Sequence, residues 1–359
     1  MLAGDHLAYD LKRLEIGYLE RNEREFELTK HVSLVALDPE QFLKLKETGK
    51  CTLNVPEWLF DLETAGHYLR RLKMVSLTLP CVTGPYTSIH CKLKLAKSSF
   101  RRTTDLAEGY DRPSTEDPSA SDERFIDDRS VMEAIVTSTG QNDAGLFEPN
   151  MRDERYLPFE GAGAISTWEL ELPKTFRSFD YSTISDVILH LRYTARDGGE
   201  GLSSAATESA EKLLHEPSVD PRTTRARTLV RLFSLRHEFP SEWHPFVSSP
   251  PDAGGSTMTV DLATTRFPYF VQGRNILINK AMVFEKTSLD TKPRIGLGVA
   301  PGPSITSLVE STWVDDPRPG LAKGGSIVLG GQPGPWTFAT KSDPNSVEDV
   351  FVIFEYSVN

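Results

Sequence analysis

Several residue sets in this chain are of types that do chemistry. The stretch RHEFPSEWH places His237, Glu238, Glu242 and His244 close together. Imidazole and carboxylate are ordinary zinc donors, but the interval from His237 to His244 on a strand-to-loop passage does not bring two rings to one ion. Asp153, Glu154 and Glu160 could supply a glycosidase's carboxylate pair, a mechanism that depends on a set separation between the two. Arg152 and Arg155 stand beside them, so the plainer reading is a solvated, ion-paired loop. Gly161-Ala162-Gly163 has the G-x-G form of a dinucleotide loop but leads into a strand, so the helix N-terminus that would hold a pyrophosphate is missing. Trp243, Trp313 and Trp336 lie beside expected turns, where aromatics of a carbohydrate-binding sandwich stack on sugars; they equally suit the ends of an ordinary sandwich. No P-loop, G-x-S-x-G or H-E-x-x-H occurs. The expectation is a protein that is not an enzyme, with no cofactor and no metal.

The 359 residues carry a net charge of -11, with 38% hydrophobic and 25% charged residues, enough apolar material for a sizeable core. That acidity argues against a nucleic-acid partner, which calls for a basic footprint. Cys51, Cys81 and Cys91 form no C-x-x-C pair and read as small buried hydrophobes, although a Cys81–Cys91 bridge across a hairpin is conceivable. The N-terminus lacks the plan of a signal peptide, and no apolar run approaches the ~20 residues of a membrane helix, so a soluble chain without membrane insertion is expected.

Such side chains need elements to position them. Leu7, Leu11, Leu14 and Tyr18 form a narrow helical seam, so residues 1–25 are a helix, either docked on its own domain or the end of a longer bundle helix. Phe26, Leu28, Val32 and Leu34 alternate as a strand; Asp38-Pro39 then opens a short helix that Gly49 closes. Strands are expected at 51–55, 71–79 and 89–95, the last two forming a hairpin around Gly84-Pro85. Residues 100–130 are acidic and nearly free of aliphatics, which predicts a long mobile loop. Trp168, Leu170 and Leu172, and then Val187, Leu189, Leu191 and Tyr193, alternate with polar neighbours as two further strands. The fold class is mainly β: an antiparallel, jelly-roll-like β-sandwich over 26–196 behind a short N-terminal helix. Residues 197–228 read as a Gly/Ser linker with a short helix over 209–215. Residues 229–359 read as a second β-rich domain, with strands at 229–239, 257–262, 275–286, 326–329 and 349–358. No internal repeat of fixed period is found.

The blocks SLTLPCVTGPYTS (76–88), STGQNDAGLFE (138–148), RDERYLPFEGAGAIS (152–166) and TISDVILHLRYTAR (183–196) resemble, in order and with compatible spacing, the C-terminus of TcA subunits of bacterial Tc insecticidal toxin complexes. The resemblance runs through most of 1–196. It implies a TcB-binding domain at the top of a pentameric TcA channel, where the domain docks the β-propeller of a TcB–TcC cocoon holding the toxic enzyme. The seam of 1–25 would then be the tail of a channel helix. The implied localisation is secreted or extracellular, as part of a toxin complex, and the implied partners are a TcB–TcC-like component and other TcA subunits. Loops carry recognition on a rigid sandwich, so the expected contacts are Gln141, Asn142, Asp143, Phe147, Arg152, Asp153, Arg155, Tyr156, Phe159 and Glu160. Two other readings of the C-terminal part are a carbohydrate-binding module using Trp243, Trp313 and Trp336, and a purely structural domain covering a sheet edge.

Overall fold

The computed structural model describes residues 2–20, 24–84, 87–112, 122–138, 157–173, 177–215, 218–219, 226–248, 256–287, 298–302, 309–310, 314–315, 321–323, 327–340 and 347–359. Helix α1 (Leu2–Glu20) comes first, and Leu7, Leu11, Leu14 and Tyr18 are all exposed on it. The four residues lie on a helix, and among the described residues nothing covers them.

Next come β1 (Phe26–Ser33), α2 (Leu34–Leu37), α3 (Pro39–Thr48), β2 (Lys50–Val55), α4 (Glu57–Thr64), β3 (His67–Thr78), β4 (Ile89–Arg101), β5 (Phe125–Asp128), β6 (Met132–Ser138), β7 (Ile165–Glu171) and β8 (Ile188–Asp197). They form two antiparallel sheets, β1-β8-β3 and β2-β7-β4-β5, with β6 also paired to β4. Leu189, Leu191, Tyr193 and Ala195 of β8 face Trp168 and Leu170 of β7 across one core, as period-two alternation requires. Asp38 caps α3 by accepting from the Gln41 amide at 3.1 Å, and Gly49 ends it in the left-handed region at φ 73°.

The sequence reading fails at three places here. β3 and β4 are not a hairpin: they belong to opposite sheets, so the connection between them crosses from one layer to the other. The ends of the expected mobile loop are ordered, with Tyr110, Arg124 and Phe125 buried. Aromatic rings and arginines supply there the burial that missing aliphatics cannot. The Gly/Ser linker is largely α5 (Gly199–His215), which buries Leu202, Ala206, Ala210, Leu213 and Leu214 and packs beside α4. Small alanines at intervals of four let the two helices approach closely.

After β9 (Ser218–Val219) and β10 (Ala226–Arg227) come β11 (Leu229–Ser234), α6 (Leu235–Glu238), α7 (Pro240–Ser248), β12 (Ser256–Leu262), β13 (Ile276–Thr287), β14 (Gly298–Pro301), β15 (Val309–Glu310), β16 (Val314–Asp315), β17 (Leu321–Lys323), β18 (Ile327–Gly331), β19 (Gly334–Thr340) and β20 (Val347–Val358). The expected strand 229–239 stops at Ser234, whose hydroxyl accepts from the His237 amide at 3.1 Å and starts a helix instead. One sheet runs β11-β20-β13-β17-β16 with β18 on β13, the other β12-β19-β14-β15. The first of these is buried on both faces. Val283, Val352, Phe354 and Tyr356 face the second sandwich's own core, while Met282, Phe284, Phe351 and Ile353 join the core of the first. A strand covered on both sides reads as a continuous apolar run, as Val350 to Phe354 does.

The three thiols are free, with Cys51 and Cys91 buried and Cys81 half-buried. Burial pushes both Cys51 and Cys91 up to about 12. The thiolate is the reactive form, so native protein at pH 8 is expected to react with a thiol reagent only at Cys81, and at all three positions in denaturant, read by mass spectrometry. Rapid native labelling of Cys91 would contradict the packing of β4.

Candidate partner interface

At one end of the first sandwich, two connections are stitched together. The Ser185 amide donates to the Pro80 carbonyl at 3.0 Å, and the Val82 amide to the Thr183 hydroxyl at 3.2 Å. Asp180 caps the turn Tyr181–Thr183, and the buried Tyr181 hydroxyl donates to the Pro173 carbonyl. Arg177 lies 4.7 Å from the Tyr181 ring. Val82 stands 71% exposed above this frame. Asp186 fixes the next step: it accepts from the Ser33 hydroxyl at 2.6 Å and the Val35 and Val187 amides at 3.1 and 2.7 Å, locking β8 to the start of α2.

The connection from β6 to β7 leaves the sheet where Ser138 pairs with Ile89 and rejoins it where Ile165 pairs with Ser99, at the two ends of β4. Gln141, Asn142, Asp143, Phe147, Arg152, Asp153, Arg155 and Tyr156 lie on it, outside the described residues. The returning part is well anchored. Gly161 and Ala162 exchange hydrogen bonds with Leu72 at 2.8 and 2.7 Å, and the Ala164 amide donates to the Arg70 carbonyl at 3.0 Å. Gly163 presses against β4 so closely that a Cβ there would lie 2.2 Å from the Ser99 carbonyl oxygen. Residues 161–164 therefore staple β3 of one sheet to β4 of the other. The G-x-G spacing serves this close approach, not a phosphate. Phe159 is a correction to the expected contacts: its ring is 5% exposed and packs edge-on against Trp168 at 4.9 Å, so it anchors the segment from inside. Glu160 is exposed.

Beneath this staple lies a charged cluster that the sequence reading missed. Glu57 and Asp61, one turn apart on α4, face Arg70 of β3 and Arg101 of β4. Arg101 holds Glu57 through two bonds of 3.0 and 3.2 Å, with the Tyr110 and Phe125 rings 4.4 and 4.5 Å from its guanidinium. Arg70 donates to Asp61 at 2.7 Å, and the Tyr110 hydroxyl donates to the other oxygen at 2.7 Å. Burial pushes the Asp61 carboxyl up and Arg70 opposes it. Asp61, Arg70 and Arg101 are buried and Glu57 is half-buried, so the cluster ties α4 and both sheets to Tyr110 and Phe125. The available signal was two carboxylates at i and i+4 on an otherwise apolar helix, PEWLFDLE.

The C-terminal candidates do not assemble. Trp243 and Trp336 are buried at 8% and 0%, so neither has the free face that stacking on a sugar needs, and Trp313 lies outside the described residues. Glu238 is held by Arg231 at 2.9 Å, while His244 and Glu242 point to solvent. Among the described residues, no group of three or more His, Cys, Asp or Glu is placed to hold a metal. Among them also, no helix is long and apolar enough to cross a membrane.

Residues 1–195 match the family described as the Tc toxin complex TcA C-terminal TcB-binding domain. Toxin subunit YenA2 of Yersinia entomophaga is 36% identical over 218 residues, covering 60% of this chain. The chain spans only 16% of that relative's length. Two solved structures share part of the chain. Yersinia pseudotuberculosis TcaA-TcaB is 23% identical with a TM-score of 0.34, covering 55% of this chain and 11% of that one. Morganella morganii TcdA4 is 21% identical with a TM-score of 0.31, covering 54% and 8%. The family match takes in α1 and the whole first sandwich, more than half of the residues, and on that ground the chain belongs to the family of TcA C-terminal TcB-binding domains of Tc toxin complexes.

Proposed function

We propose that this chain is a non-enzymatic docking module that binds the β-propeller of a TcB–TcC-like component and couples it to a TcA channel. One observation carries the reading: the family match ends inside β8, so it takes in a sandwich whose long β6-to-β7 connection is anchored at both ends of one strand. A rigid frame presenting one long connection is the arrangement that loop-borne recognition needs. Gln141, Asn142, Asp143, Phe147, Arg152, Asp153, Arg155, Tyr156 and Glu160 are the proposed contacts, with Phe159 as their internal anchor. Exposed apolar residues on α1 suit packing against other TcA subunits, five in the proposed assembly. The module works outside the producing cell as part of a toxin complex and does not itself insert into a membrane.

The test is co-elution of the assembled, oligomeric form of the chain with its cognate TcB–TcC-like component in size-exclusion chromatography. A stable complex is expected, and it should be lost when 141–147 are replaced by a Gly/Ser segment of equal length. Absence of any complex with the unaltered protein would falsify the docking function.

A further inference from the structure

We propose that residues 229–359 are a second copy of the sandwich in 26–197, and that this copy has become an internal brace whose sheet face binds the α2–α3 segment of the first. The correspondence begins with sheet order. β1-β8-β3 is matched by β11-β20-β13, each with the last long strand of its half in the centre, and β2-β7-β4-β5 by β12-β19-β14-β15; β16, β17 and β18 extend the second copy's sheet beyond β13. Register agrees residue by residue. Val32 pairs with Leu189 as Phe233 pairs with Val352; Leu77 pairs with Leu189 as Val283 pairs with Val352; Leu53 pairs with Trp168 as Val260 pairs with Trp336. Both tryptophans are buried.

Shared topology alone could arise twice, but a shared local device is harder to arrive at independently. In the first half Ser33 ends a strand and caps a one-turn helix, a second helix starts at Pro39, and Asp186 clasps the turn. In the second half Ser234 ends a strand and caps a one-turn helix, a second helix starts at Pro240, and Asp349 clasps the turn. Asp349 accepts from the Ser234 hydroxyl at 2.6 Å and from the Arg236 and Val350 amides at 3.1 and 2.8 Å, repeating the Asp186 set bond for bond.

The copies differ on one sheet face, and that difference gives the second its role. In the first copy the face carries Thr29, His31, His190 and Arg192 and is polar. At the register-equivalent positions the second copy has Val230, Leu232, Ile353 and Glu355. The fold does not require apolar residues there, so the change must serve contact. Leu232, Met282, Phe284, Phe351 and Ile353 lie in one core with Phe42 and Leu45 of α3, and Lys46 reaches over both Phe42 and Phe351 at 5.3 and 5.8 Å. The second copy also enters its tryptophan strand through the tight turn Gln332-Pro333, without the long connection that the first copy carries. It has kept the frame and exchanged the recognition loop for a grip on its neighbour.

The experiment replaces residues 220–225 of the full chain by a specific protease site and cleaves the purified protein. The halves are expected to co-elute as one complex. With Met282→Asp and Ile353→Asp they should separate, each keeping its β circular-dichroism spectrum, because each is a complete sandwich. The milder Lys286→Glu, which opposes Glu47 3.9 Å away, should weaken the cleaved complex without touching either core. Cleaved wild-type halves that part at once, variants that stay associated, or a released C-terminal half that loses its β spectrum would each overturn the proposal. None of these readouts involves a TcB–TcC-like partner, so they stand apart from the docking test.

Discussion

Asp61→Ala is expected to lower the stability of the first sandwich by about 3–5 kcal/mol, because it strands a buried guanidinium. Arg70 is 2% exposed and Asp61 is its one close carboxylate, with Glu57 at 3.8 Å already held in both lobes by Arg101. The same change takes the acceptor from the buried Tyr110 hydroxyl. The cost therefore comes from uncompensated groups and not from the intrinsic worth of an ion pair. That account makes a second prediction within the same experiment: Asp61→Ala combined with Arg70→Leu should recover a large part of the loss, since no buried charge is left unpaired. Urea midpoints of the wild type, the two single variants and the double variant close the cycle. A loss under about 1 kcal/mol for Asp61→Ala would mean that water reaches Arg70.

Much of the first sandwich was legible because one of its faces meets water. β7 and β8 alternate so clearly that their inward residues are readable directly, and Asp38-Pro39 with Gly49 marks α3 by its caps alone. Three things stayed hidden, each for a physical reason. The β3–β4 connection carries a turn signal, but a turn dipeptide does not say whether the chain folds back in its own layer or crosses to the other. Arg101 packs on the Tyr110 and Phe125 rings, Arg112 on Phe125, and Arg124 donates to the Gly109 carbonyl; arginine-to-ring packing leaves no aliphatic pattern. The internal copy shows no fixed period because loops of unequal length shift the offset between Ser33/Ser234 and Asp186/Asp349. Only short traces such as Asp-Val and the following Tyr survive in SDVILHLRYTA and EDVFVIFEYSV. Of the proposed site, the blocks that carry the resemblance were visible, whereas Phe159 could not be told from a surface aromatic until its ring was seen against Trp168.

Gly163→Ala is expected to weaken partner binding about tenfold, which corresponds to about 1.4 kcal/mol, although the residue lies within the staple and touches no partner. The added Cβ would lie 2.2, 2.3 and 2.6 Å from the Ser99 carbonyl oxygen, carbonyl carbon and amide nitrogen. All three are backbone atoms of a central strand, so no rotamer change relieves the overlap, and the staple must lift away from β4. Overpacking of this kind costs about 1–3 kcal/mol of stability. Gly161→Ala is the matched control. Gly161 has φ 81° but nothing within 4 Å of an added Cβ, so it pays about 1–2 kcal/mol of left-handed backbone strain with the contact to β4 intact. The two variants thus lose similar stability by different routes, and only one displaces the point where the 139–156 connection rejoins the sandwich. Binding measured by interferometry against immobilised TcB–TcC-like component should fall for Gly163→Ala and stay near wild type for Gly161→Ala. Equal losses in both would attribute the effect to general destabilisation. A split between them means that the rigidity of residues 161–164 against β3 and β4 sets where the proposed contact residues are presented, so the frame takes part in recognition at a distance from the contacts themselves.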